Sequence, residues 1–242
     1  MVNGAPATNP ARLVSTDEAV SCLPPPDRYV GRGGHKLAAA LEHFQLDVQG
    51  RRVADAGSST GGFTDCVLQA GAAEVIAIDV GRGQLHQRLR DDPRVDVRER
   101  LDVRDTAPDL IGGEADLVVA DLAFISLTSV LPALLRLARR GADLVILVKP
   151  QFEAARRDVD AGGGVITDPE VWRAALERVL NACEASGAAI MGLMTSPLRG
   201  ADGNVEFLLH LRKPELGRSS YTELSADSID LTSFLTSTED HS

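Results

Sequence analysis

Apolar and polar positions along the chain fall into blocks whose period switches between that of strands and that of helices. The runs Arg52–Ala56, Glu74–Asp79, Ala115–Asp121 and Ala142–Lys149 are short, aliphatic and nearly uninterrupted, the pattern of strands buried on both faces. Val95–Glu99 is a weaker strand, and Ala188–Thr195 and Val205–Arg212 bring the set to seven. Between these runs the apolar residues recur at helical spacing. A helix is expected over His35–Phe44, with Leu37, Leu41 and Phe44 on one face, and another over about 61–70. A short one follows near Gln84–Arg90, then Leu127–Arg139, which Pro132 should bend. The last, Pro169–Ser186, has the best marked start, with Asp168 as N-cap and Pro169 in the first helical position.

Strands alternating with helices imply a doubly wound, Rossmann-like α/β fold with a mostly parallel sheet. The last two strands are joined only by SPLRGADGN, too short for a crossover helix, so one antiparallel strand closes the order. The folded domain is expected over 29–213. Residues 1–28 are rich in Ala, Pro, Ser and Thr and read as a mobile arm, with Leu23-Pro24-Pro25-Pro26 as a stiff extended piece. The Ser/Thr/acid-rich segment 214–242 reads as a loose acidic tail.

The stretch RRVADAGSSTGGF runs from the first strand through a glycine-rich turn into a helix. Gly57, Gly61 and Gly62 permit a tight turn and a close approach of backbone to ligand. The spacing G-x-x-x-G-G differs from the G-x-G-x-x-G of a pyrophosphate cradle. An acid, Asp55, precedes the first glycine, which suits a cationic ligand such as S-adenosylmethionine (SAM) better than a phosphate. A plain strand–helix turn is the alternative. Four strands end in ionisable residues, namely Asp55, Asp79, Asp121 and Lys149. In open α/β sheets that edge is where ligands bind. Asp79 stands where a carboxylate grips a ribose diol, and Asp102 could receive an adenine amino group or simply start an Asx turn. The candidate cofactor set is Asp55, Gly57, Ser58, Ser59, Gly61, Gly62, Phe63, Asp79, Val80, Asp102 and Val103.

Of 25 basic residues only Lys36, Lys149 and Lys213 are lysines. Arg cannot release its proton in a protein, whereas a desolvated Lys can serve as a base. Lys149 ends an apolar strand near Asp121, so the two form either a structural ion pair or the core of a catalytic group. Lys213 reads as incidental. Lys36 sits in a first helical turn, where a cation opposes the helix dipole.

The net charge of −10 is a poor global field for nucleic acid, although a local basic rim could still serve. Arg32, Arg82, Arg88, Arg156, Arg157 and Arg199 are candidates for that rim. Cys22, Cys66 and Cys183 have neither disulfide nor zinc spacing, so no metal is expected and a reducing, cytoplasmic compartment is the default. The N-terminus lacks the pattern of a signal peptide, and no apolar run is long enough to span a bilayer.

The ordered motifs GRGGHKL, DAGSSTGGFTD, AIDVGRGQL, DLVVADLAFISL, LVKPQFE and GNVEFLL resemble those of the TlyA-type haemolysin/rRNA methyltransferases. These belong to the FtsJ-like class of ribose 2′-O-methyltransferases. The resemblance runs from about Tyr29 to Lys213. It implies a class I SAM-dependent methyltransferase fold, SAM as cofactor, and a catalytic tetrad at Lys36, Asp121, Lys149 and Glu206. On that resemblance Lys149 is the base or the residue that positions the target oxygen. Asp121 and Lys36 tune it and hold the substrate, and Glu206 completes the hydrogen-bonding set.

Three positions depart from the family pattern. Ala123 and Gly31 stand where Ser is common, and Asp102 where Asn is frequent. Family members usually begin with an S4-type RNA-binding domain, whereas here residues 1–28 precede the glycine-rich turn. Ribosomal RNA is the expected substrate, with a small-molecule acceptor as the alternative. A membrane-active, non-catalytic protein is disfavoured, because no basic amphipathic helix is present.

Overall fold

The computed structural model describes residues 2–7, 9, 12–21, 27–215, 230–232, 234 and 235. Cys22 and the Leu23–Pro26 stretch lie outside the described residues, as does most of the segment after Pro214.

In chain order the elements are α1 (Gly33–His43), β1 (Arg52–Ala56), α2 (Gly62–Gln69), β2 (Glu74–Asp79), α3 (Gln87–Arg90), β3 (Val95–Glu99) and β4 (Ala115–Ala120). There follow α4 (Leu127–Leu137), β5 (Ala138–Val148), α5 (Pro150–Glu153), α6 (Arg156–Ala161), α7 (Pro169–Ala185), β6 (Ala189–Thr195) and β7 (Phe207–Arg212). The seven strands form one sheet in the order β3-β2-β1-β4-β5-β7-β6. β1, β2, β3, β4 and β5 are parallel, and β7 runs antiparallel to both its neighbours. The last strand in sequence is thus an interior strand: β6 takes the edge and β7 returns between it and β5.

Two apolar layers cover the sheet. Leu37 and Leu41 of α1 and Phe63, Cys66 and Val67 of α2 pack on one face. Leu131 and Leu134 of α4 and Trp172, Leu176, Val179 and Leu180 of α7 pack on the other. The α7 positions recur at helical spacing and are all buried. Its start is as predicted, since the Asp168 side chain accepts from the Glu170 N–H at 2.9 Å.

Four details differ from the sequence expectations. α3 begins only at Gln87, because the His86 side chain caps it by accepting from the Arg88 N–H. α4 ends two residues early, because Ala138 turns extended and pairs with Ala115. The single turns α5 and α6 carry no periodic signal at their length. Within the segment expected to be loose, Leu231 and Leu235 lie buried in the core, and Phe234 stacks 5.9 Å from Phe207.

At the far end of the sheet from the strand-end acids, Asp143 is buried and accepts from Arg51 at 2.9 Å, His210 at 2.9 Å and Arg212 at 2.6 Å. The carboxylate joins β5 to β7 and to the loop before β1.

Candidate active site

The chain leaves β1 toward β2 and β3, then returns to β4 on the other side of β1. The loops after β1 and β4 therefore diverge and open a crevice at the carboxyl edge. Gly57 makes the turn possible. Its φ is +84°, and a Cβ there would lie 2.6 Å from the Asp121 carbonyl oxygen.

The crevice is a cleft of about 550 Å³ lined by Gly57, Ser59, Asp79, Val80, Asp102 and Val103 of the expected cofactor set. Leu101, Leu122, Phe124, Ile125 and Val130 supply an apolar wall. A smaller recess of about 90 Å³ adjoins it, lined by Gly33, Ser58, Thr60, Gly62, Phe63 and again Asp121. The Asp79 carboxylate is fixed by the Ser59 N–H at 2.8 Å and the Gly81 N–H at 2.7 Å. Asp102 accepts from the Arg104 N–H, so it does form the Asx turn, and its carboxylate also pairs with the Arg104 guanidinium at 2.6 Å. That pairing holds the Asp102 carboxyl below its usual range. Volume, apolar wall and anchored strand-end carboxylate suit an adenosine with a cationic tail.

Two expected cofactor residues lie elsewhere. Gly61, at φ +101°, faces Leu85 and Leu89, so its missing side chain makes room for helix packing rather than for ligand. Asp55 is fully buried beneath the turn, where Thr64 Oγ1 donates to it at 2.6 Å. Its other oxygen, Oδ1, has no partner among the described residues. Burial pushes the Asp55 carboxyl up to about 7, with Asp121 and Asp79 adding to the effect and Thr64 opposing it. The folded state therefore binds a proton that the unfolded chain has released. Stability should fall as pH rises from about 4 to about 7 and stay lower above that, by up to roughly 4 kcal/mol. Asp55→Asn should flatten this slope, so thermal melts of the variant at pH 5 and pH 8 should differ less than those of the parent. Parallel pH profiles for the two chains would refute the assignment.

The four residues of the expected tetrad resolve into two ion pairs. Lys149 Nζ lies 2.6 Å from Asp121 Oδ1, beside the cleft. Lys36 pairs with Glu206, and both side chains are over nine-tenths buried. Lys36 thus sits in the first turn of α1 with its charge met by a partner 170 residues away. Val148 of β5 pairs with Phe207 of β7, so the next step along the ladder sets Lys149 across from Glu206. A Cβ on Gly33 would lie 3.6 Å from Asp121 Oδ2, which brings the start of α1 against the first pair as well. Two alternating charge pairs therefore share one corner of the sheet edge. Lys213 by contrast is half-buried and donates to the Ala138 carbonyl at 2.6 Å.

Phe124 was not among the sequence candidates. It is 92% exposed, adopts φ +62°, and contacts Phe152 with ring centroids 5.3 Å apart and the rings tilted, while the Phe152 ring faces Lys149 Nζ at 5.9 Å. In the sequence it is one more apolar residue after a strand, and only the turned backbone places it in solvent.

The six candidate arginines are all exposed. Arg88 is held by Asp65 at 2.6 Å and lines a separate surface hollow. Arg156 and Arg157 stand on α6 just after the Lys149 turn, and Arg199 is on the loop before Glu206. Among the described residues no cluster of His, Cys, Asp or Glu could hold a metal ion, and no helix is long and apolar enough to cross a membrane.

A model of the FtsJ-like methyltransferase family matches residues 29–213. The 16S/23S rRNA (cytidine-2'-O)-methyltransferase TlyA of Mycobacterium tuberculosis is 50% identical over 212 residues, covering 87% of this chain and 79% of that protein. Hemolysin A of Brachyspira hyodysenteriae is 36% identical over 210 residues, 86% of this chain and 87% of that one. The crystal structure of a hemolysin-named protein from Lactococcus lactis superposes with a TM-score of 0.79 at 40% identity, covering 88% of this chain and 99% of the other.

Proposed function

This chain belongs to the FtsJ-like methyltransferase family, and on that premise we propose that it methylates a ribose 2′-hydroxyl of ribosomal RNA. It is a SAM-dependent methyltransferase. The observation that carries the proposal is the Lys149–Asp121 pair at the mouth of the cleft, with the buried Lys36–Glu206 pair beside it. The substrate class is supported by the TlyA relative at 50% identity, whose name specifies cytidine 2'-O-methylation of 16S and 23S rRNA.

The bound sulfonium supplies an activated methyl group. The protein's own residues do the rest. Asp79, already oriented by two backbone N–H groups, has lone pairs left to accept from the two ribose hydroxyls of the cofactor. Lys149, once its ammonium has passed a proton to solvent, would orient the acceptor hydroxyl and take its proton as that oxygen bonds to the transferred methyl and the carbon–sulfur bond breaks. Asp121 holds the ammonium that results. Lys36, neutralised by Glu206, packs the neighbouring corner so that the acceptor approaches from one direction, and such alignment accounts for much of the acceleration.

Arg32, Arg156, Arg157 and Arg199 would meet the phosphates around a splayed-out nucleotide. Phe124 is exposed and contacts Phe152, whose ring faces Lys149, a position that suits stacking of the target base. Phe124→Ala should therefore raise the KM for RNA about 10-fold, since one base–aromatic stack contributes about 1–3 kcal/mol. An unchanged KM would remove Phe124 from the RNA site. The function itself is tested by transfer of tritiated methyl from SAM to isolated 30S and 50S subunits, followed by nuclease mapping to a 2′-O-methylated nucleoside. An enzyme that binds SAM but labels only small molecules from a cell extract would replace RNA with a small acceptor. Action on ribosomal RNA would also place the protein in the cytoplasm.

A further inference from the structure

Glu153 is buried, 3% exposed, and has no part in the chemistry described above. It ends α5, the single turn that follows Lys149. Its Oε1 accepts from the Leu127 N–H at 2.6 Å, and its Oε2 accepts from Ser126 Oγ at 2.6 Å. Ser126 is the N-cap of α4, and its hydroxyl oxygen accepts in turn from the Thr128 N–H. Glu153 thus satisfies, from another element, donors that a helix start leaves free. Its own carbonyl is held by Arg178 of α7.

The consequence is a closed ring. Asp121 leads through Leu122–Ile125 to Ser126, Ser126 is bonded to Glu153, and Glu153 leads back through α5 to Lys149. The Lys149–Asp121 ion pair completes the circuit. The strained φ of +62° at Phe124 lies inside it. With both ends pinned, the loop has one geometry, and the Lys149–Asp121 separation is set by it. With Glu153 removed, the loop keeps the Asp121 N–H bond to the Ala56 carbonyl at 3.1 Å, the Phe124–Phe152 ring contact and the buried Leu127, but loses these two hydrogen bonds to the Lys149 turn.

We propose that Glu153 is a positioning residue for methyl transfer: it clamps the Asp121 loop to the Lys149 turn and so fixes the acceptor-side geometry. The inference rests on the tetrad assignment above. The test compares kcat, KM for RNA and SAM affinity in Glu153→Ala, Glu153→Gln and Ser126→Ala, with Lys149→Ala as the reference. Glu153→Ala should lose kcat by about 100-fold, the effect of a misplacement near 1 Å, with SAM affinity and KM little changed. Glu153→Gln keeps an oxygen for Leu127 and an amide that can donate to the Ser126 oxygen, so it should recover most of kcat. Ser126→Ala removes one of the two bonds and should fall between them.

A purely structural carboxylate would lower the melting temperature but leave kcat per folded enzyme unchanged in all three, and that result would overturn the proposal. If Glu153→Ala does not fold, Ser126→Ala and Glu153→Gln decide alone. A kcat loss in the former with near-parental kcat in the latter supports the clamp, and any other pattern rejects it. If Lys149→Ala itself retains turnover, the tetrad assignment has failed. If Lys149→Ala is inactive and Glu153→Ala is not impaired, only the clamp has failed.

Discussion

Lys149→Ala is expected to lower methyl transfer by at least about 10³-fold while SAM still binds with nearly parental affinity. The amine sits 2.6 Å from Asp121 at the edge of the cleft, whereas Asp79, the carboxylate we propose for the cofactor ribose, is held independently by Ser59 and Gly81. Removing the amine leaves Asp121 without its cation, but this carboxylate is about one-quarter exposed and can take water instead. Loss of activity should therefore not come from unfolding. Single-turnover transfer of a tritiated methyl, with SAM binding measured by calorimetry, separates the two steps. Lys149→Arg sharpens the result. An Arg keeps the positive charge but cannot accept a proton, so it should also be inactive if Lys149 is the base. Recovery of activity with Arg would reduce the role to positioning, and full turnover in the Ala variant would remove Lys149 from the mechanism.

Asp143→Ala should cost about 3–5 kcal/mol of stability, with SAM-site chemistry untouched in whatever folds. Asp143 is 5% exposed in its side chain and meets Arg51, His210 and Arg212 together. Its loss leaves the buried His210 without its carboxylate and takes one partner each from Arg51 and Arg212, loosening the join between β1, β5 and β7. Burial alone would raise the carboxyl, but hydrogen bonds from His210, Arg212 and Arg51 outweigh it and hold the group well below its usual range. For an acid with a depressed folded pKa, the stabilisation is complete above the unfolded value near 4 and is lost as pH falls further. The gap between parent and variant in urea denaturation should therefore narrow as pH falls below about 4. A gap under about 1 kcal/mol at pH 7 would show that water replaces the carboxylate at little cost.

The strand-end chemistry was legible because its physics is local. A buried apolar run that ends in Asp or Lys must put that residue at the sheet edge, so the placement of Asp79, Asp121 and Lys149 there was legible without coordinates. Gly57 was legible for the same reason, since a turn straight out of a strand needs a residue free to take positive φ. Gly61 looks the same in sequence, yet it answers to Leu85 and Leu89 of the following segment. Asp55 has the same strand-end signature as Asp79, but it points into the protein and is buried rather than lining the cleft. One strand-end pattern thus covers two environments, and only the direction of each side chain relative to the helix that covers it tells them apart.

Pairing at a distance was beyond the pattern. Lys36 and Glu206 are 170 residues apart, and nothing in either neighbourhood names the other; the family motif order linked them, and the fold shows them in contact. Glu153 and Phe124 fall inside the motifs LVKPQFE and DLVVADLAFISL, but nothing in their local pattern gives either of them a role. The repeat of apolar blocks by itself determined the seven strands, the covering helices and the edge at which chemistry collects, because period and burial are properties of neighbouring residues. The tertiary structure alone decided that β7 returns inside the sheet, that Asp55 is sealed beneath the turn, and that a buried carboxylate ties two loops together. Those outcomes depend on which distant surfaces meet, and that is settled by packing across the whole chain.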